Sequence, residues 1–101
     1  MNVINLFDLN EYLRRVVALN FPEKIWVQCE ISQSSVSKGH LYLDVIQKDE
    51  ILDEIIAQSR AVVWERQLRQ LFQQYGKEIF NVLSDEKAVK ILVRVSFHER
   101  Y

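Results

Sequence analysis

Two aromatic residues, Trp26 in "KIWVQCEIS" and Tyr42 in "KGHLYLDV", occupy the outward positions of alternating apolar stretches. A flat ring on an open strand face can stack on an unpaired base, a contact worth roughly 1–3 kcal/mol. The ordinary competing explanation is a ring covered by one of the protein's own helices. Lys38, Arg60, Lys90, Arg94 and Arg100 could add phosphate contacts, and His98 falls on the same strand face as Arg94. Gripping a polyanion without reading its bases needs only cations spaced along a groove. The same cations could equally be solvated charges balanced by Glu30, Asp44 and Glu99. The candidate nucleic-acid-binding set is therefore Trp26, Lys38, Tyr42, Arg60, Arg94, His98 and Arg100.

Other chemistries find no support. His40 and His98 are the only histidines, and neither has Cys, Asp or Glu at recurrent metal spacing, so no metal site is expected. His40 reads as a turn residue that donates to a backbone carbonyl. The carboxylates Asp49, Glu50, Asp53 and Glu54 form a charge run that reads as a solvated loop. With only Gly39 and Gly76 in the chain, neither a P-loop nor a dinucleotide fingerprint can be written. No nucleophile has a base at motif spacing, so neither a catalytic residue nor a cofactor is assigned.

The elements that must position these side chains change period along the chain. Leu9, Leu13, Val16 and Val17 recur at helical spacing, with Asp8 as the expected N-cap and Phe21-Pro22 as the stop. From Lys24 the period becomes two: Ile25, Val27, Cys29 and Ile31 on one side, Trp26, Gln28, Glu30 and Ser32 on the other. "QSSVSKGH" reads as a polar loop, followed by a second strand with Leu41, Leu43 and Val45 inward. "IIAQSRAVVW" is a third strand, and "ERQLRQLFQQYG" is a helix closed by Gly76. A fourth strand alternates from Val89 to Phe97. This order predicts a mainly β, α+β domain: an OB-fold-like antiparallel barrel, incomplete because its fifth strand is absent, with one helix before it and one between strands three and four. The expected division is a helical segment over 1–22 and the barrel over 23–101. Leu68, Leu71, Phe72, Tyr75, Ile79, Phe80 and Leu83 exceed what a barrel plug needs and suggest a protein contact, and an open barrel edge would let two copies pair as a homodimer.

Bulk properties set bounds on these readings. A chain of 101 residues with 49% apolar side chains is sized for one domain, and a net charge of −1 supplies no strongly basic surface. The single cysteine, Cys29, excludes an internal disulfide and reads as a reduced, buried thiol. "MNVINLFDLNEYLRRVV" carries charges that a secretory signal would not, and no stretch approaches a membrane span, so a cytoplasmic address is expected.

"IWVQCEIS", "SKGHLYLDVIQKD", "AVVW" and "VRVSFHERY", together with Leu9-Asn10 and Tyr12 near the start, resemble the amino-terminal domain of the exonuclease VII large subunit. The likeness runs through nearly the whole chain. It departs at Cys29, where that family usually has glycine, at Lys38, where serine is common, and at "HERY", which lacks a glycine between Arg100 and Tyr101. "DEKAVKILVRV" also lacks the glycine usual before the fourth strand. The resemblance implies a single-stranded-DNA-binding module that presents its strand to a separate nuclease domain, in an assembly with small subunits contacted through regions outside this chain. It implies catalytic residues downstream, so the parent protein would be an exodeoxyribonuclease while these residues are non-catalytic. The rival expectation is an assembly domain of the same complex that does not touch DNA.

Overall fold

The computed structural model describes residues 3–97. In chain order the elements are α1 (Leu6–Asn20), β1 (Ile25–Ser37), β2 (His40–Lys48), β3 (Ile55–Val63), α2 (Glu65–Tyr75), α3 (Glu78–Val82) and β4 (Lys87–Val93). The four strands form one sheet in the order β3-β2-β1-β4, the open form of the expected OB-fold-like α+β architecture. The chain divides into two compact units, Gln28–Lys90 and the segments on either side of it.

In the flanking unit, α1 starts one turn earlier than its sequence pattern suggests. Asn5, not Asp8, is the N-cap: its side-chain oxygen accepts from the Asp8 backbone N–H at 2.8 Å. Asparagine offers the same capping chemistry three residues upstream, which places Asp8 in the first turn, where its charge suits the helix dipole. Glu11 pairs with Arg14 at 2.6 Å, and that hydrogen bond holds the Glu11 carboxyl below its ordinary pKa. The helix ends where Phe21 N–H bonds to the Val17 carbonyl at 2.9 Å, just before Pro22. No residue of α1 is buried, and Leu6, Phe7, Tyr12 and Leu19 are exposed.

The central unit is built on a long hairpin. The stretch "QSSVS", expected as loop, is strand: β1 pairs antiparallel with β2 as far as Ser37 opposite His40. Serines carry little strand propensity of their own, and the cross-strand ladder to the strongly apolar β2 overrides it. The turn is reduced to Lys38 and Gly39, both with positive φ (53° and 82°), as mirror-image hairpin turns require. At Gly39 an added Cβ would also lie 2.9 Å from Glu65 Oε2, so glycine serves both backbone and close approach.

The register between β1 and β2 shifts between Ile31 and Gln33, leaving Ser32 as the bulged residue. Its hydroxyl donates to the Asp44 carbonyl at 3.1 Å, a bond that occupies an acceptor beside the bulge. Ile31, Leu41, Leu43, Ile46 and Leu83 are buried and form the core of this unit. The Glu86 backbone N–H reaches the Ile31 carbonyl at 2.6 Å and fixes the approach of the chain to β4. β4 begins and ends earlier than the sequence alternation, which continues through Val95 and Phe97 without strand structure. α2 closes at Gly76, whose N–H bonds to Phe72 O at 2.7 Å, and the rings of Phe72 and Phe80 meet at 5.9 Å to join α2 to α3.

Candidate nucleic-acid interface

β2 alternates cleanly at its start: Leu41 and Leu43 point into the core, while His40, Tyr42 and Asp44 lie on the opposite face, half-buried. Register extends that face sideways. Tyr42 lies between Ser35 of β1 and Val62 of β3, and Asp44 between Gln33 and Arg60. Cross-strand partners share a face, so three strands contribute to one surface of hydroxyl, amide, carboxylate, guanidinium and aromatic groups.

Tyr42 is the centre of this surface. The Arg60 guanidinium carbon sits 5.8 Å from its ring centroid, within cation–π range, and Arg60 Nε donates to Asp44 Oδ1 at 3.1 Å. On the other side the His40 ring stands edge-on to Tyr42 at 6.5 Å and to Trp64 at 5.0 Å. His40 Nδ1 accepts the Glu65 backbone N–H at 2.9 Å. The ring therefore does not donate to a loop carbonyl as expected; it takes up a free N–H of the first turn of α2 and locks that helix to β2. An imidazole that accepts at Nδ1 carries its proton on Nε2 when neutral. Glu65 in turn pairs with Arg69 at 2.6 Å.

Of the residues expected to bind nucleic acid, the structure brings Tyr42 and Arg60 together, with Lys38 exposed at the turn of the same hairpin. Trp26 is exposed near the start of β1, with 68% of its surface accessible, and Arg94 is exposed just past β4. Both belong to the flanking unit. His98 and Arg100 lie outside the described residues. Gln33, Ser35 and Val62 share the Tyr42 face but were not singled out from sequence, whereas Asp44, expected as a balancing charge, does pair with Arg60. For Gln33 and Ser35 the signal is the Lys38-Gly39 pair: a two-residue turn fixes the β1–β2 register, and that register names their partners on β2.

Beyond this face, Asp49 organises the β2–β3 turn. Its side chain accepts from the backbone N–H groups of Ile51 and Leu52 at 2.8 and 2.9 Å, and these bonds, the Leu52 one foremost, hold its carboxyl below the ordinary value. Cys29 on β1 is half-buried, and desolvation raises its thiol pKa. Among the described residues no group of three or more His, Cys, Asp or Glu side chains is placed to hold a metal, and no helix is long and apolar enough to cross a membrane.

A four-stranded sheet of this order, with one helix before it and helices between its last two strands, is an open sheet of the OB-fold class. The chain belongs to that family: the model for the OB-fold nucleic acid binding domain matches residues 4–101. It is also similar to the exodeoxyribonuclease 7 large subunit of Deinococcus radiodurans, 32% identical over 103 residues, which cover 97% of this chain and 24% of that protein. The resemblance read from the sequence is thus borne out, and the chain spans about a quarter of the length of that curated relative. No solved structure matches.

Proposed function

We propose that this chain is the single-stranded-DNA-binding module of an exonuclease VII large subunit, which holds a strand without strong sequence preference and presents it to a nuclease domain outside this sequence. The observation that carries the reading is Tyr42, held on an open three-strand face beside Arg60 in an OB-fold domain. A stacking ring with an adjacent cation is the minimal unit for binding unpaired bases and their phosphates. Trp26, Lys38 and Arg94 are further candidate contacts, each exposed. The test is fluorescence anisotropy with labelled oligo-dT at low and moderate salt, beside a duplex of the same length. Single-strand-selective binding that weakens with salt supports the reading, and no binding to either probe at high protein concentration removes it.

A second reading has its own observation. α1 exposes Leu6, Phe7, Tyr12 and Leu19, and α2 and α3 expose Phe72, Tyr75 and Phe80. Apolar groups in such number favour a protein contact in the assembly, with a second copy of the chain. Sedimentation over a hundredfold concentration range tests this: a mass that stays monomeric throughout excludes the homodimer.

A further inference from the structure

We propose that Asp44 limits the affinity of this face for DNA by holding Arg60 in direct competition with phosphate, an inference that rests on the single-strand-binding reading above. Asp44 and Arg60 are cross-strand partners on β2 and β3, and the guanidinium that lies beside the Tyr42 ring is bonded at 3.1 Å to the Asp44 carboxylate. Both side chains are partly exposed, 64% for Arg60 and 37% for Asp44, so a polyanion can reach them. A phosphate arriving at Arg60 must displace the carboxylate or share the guanidinium with it. In either case an unneutralised negative charge remains within a few ångströms of the strand. The exposed ion pair is weak enough to open. Its main effect therefore comes after opening, as repulsion of the bound phosphate by a carboxylate that the sheet register keeps opposite Arg60.

The same geometry lowers the salt dependence of binding. Each neutralised phosphate on a single strand releases about 0.7 of a condensed cation. Salt also screens the repulsion between Asp44 and the bound phosphate, and this offsets part of the loss of binding that the release causes. The pair thus converts a strong, salt-steep contact into a weak, exchangeable one, a property suited to a strand that must move across the surface.

The experiment compares wild type, Asp44→Asn, Arg60→Ala and the double variant by anisotropy with oligo-dT across a salt series. Asparagine is isosteric with aspartate, and the Ser32 bond to residue 44 goes to the backbone carbonyl, so the sheet is retained. The expected result is binding by Asp44→Asn that is tighter by roughly three- to sixfold, the scale of one charge repulsion at 4–6 Å in water. Its salt slope should be steeper by up to about 0.7. Both gains should vanish in the double variant, because they act through Arg60. Binding by Asp44→Asn that is no tighter than wild type, or a gain that survives Arg60→Ala, overturns the assignment while leaving the binding reading intact. Absence of binding in all four proteins overturns the binding reading and this inference with it.

Discussion

Tyr42 presents its ring on a half-buried strand face with the Arg60 guanidinium beside it. Replacing it with alanine is expected to weaken oligo-dT binding by roughly 1–3 kcal/mol, about 5- to 150-fold, while phenylalanine, which keeps the π-face, should retain most of the affinity. Titration of both variants at one salt concentration decides the point, and equal loss in the two would refute stacking as the cause. Its outward direction was legible from sequence, because Leu41 and Leu43 on either side must be buried. Its environment was not: Arg60 lies eighteen positions away and reaches Tyr42 only through register. Asp49 carries a different expectation. Its carboxyl is held below the ordinary carboxylate value by backbone N–H groups, so its stabilising charge is present above about pH 4 and is lost as pH falls through the lowered value. Asp49→Asn should therefore unfold in less urea than wild type at neutral pH, with the gap closing in acid. A gap that persists unchanged at pH 2–3 would contradict the charge-based account.

At the scale of elements, the β1–β2 hairpin and α2 are joined through His40 and Gly39. His40→Ala removes the acceptor for Glu65 N–H and the ring contact to Trp64. It should cost about 1 kcal/mol in chemical denaturation, the net worth of one hydrogen bond whose exposed N–H can turn to water instead. Gly39→Ala places a Cβ at φ 82° and against the end of the Glu65 side chain. An expected loss of about 1 kcal/mol follows chiefly from the backbone, because the Glu65 carboxylate can swing aside. The strands of periodic apolar sequence, β2 and β3, were readable almost to their ends. The second half of β1 was not, because serines and glutamine have no apolar rhythm and only the partner strand defines their faces. The start of α1 was misplaced for a similar reason: Asn5 and Asp8 are equivalent caps by residue type, and which one acts depends on where the backbone turns.

For the whole molecule, a net charge of −1 sets the scale of any interaction with a polyanion. A domain without a large positive field should bind single strands weakly, with a shallow salt slope that reflects a few phosphate contacts rather than a basic surface. A slope corresponding to six or more phosphates would contradict that picture. The overall class was legible because helix, three strands, helix and strand is a restrictive order, and the family match agrees with it. The exposed apolar groups of α1 were hidden from sequence, since an amphipathic pattern shows which face is apolar without showing whether anything covers it.

The charges along β2 are unevenly spread from end to end. Lys38 stands at the turn before the strand, Asp44 is held midway by Arg60, and the turn beyond carries Asp49, Glu50, Asp53 and Glu54 with only Lys48 beside them. Nine residues of strand separate the two ends, about 30 Å of path. A flexible anion lying along it would feel a slope of potential rather than a flat bed, drawn toward the hairpin tip and turned back at the acidic end. The strand itself thus gives this surface a direction.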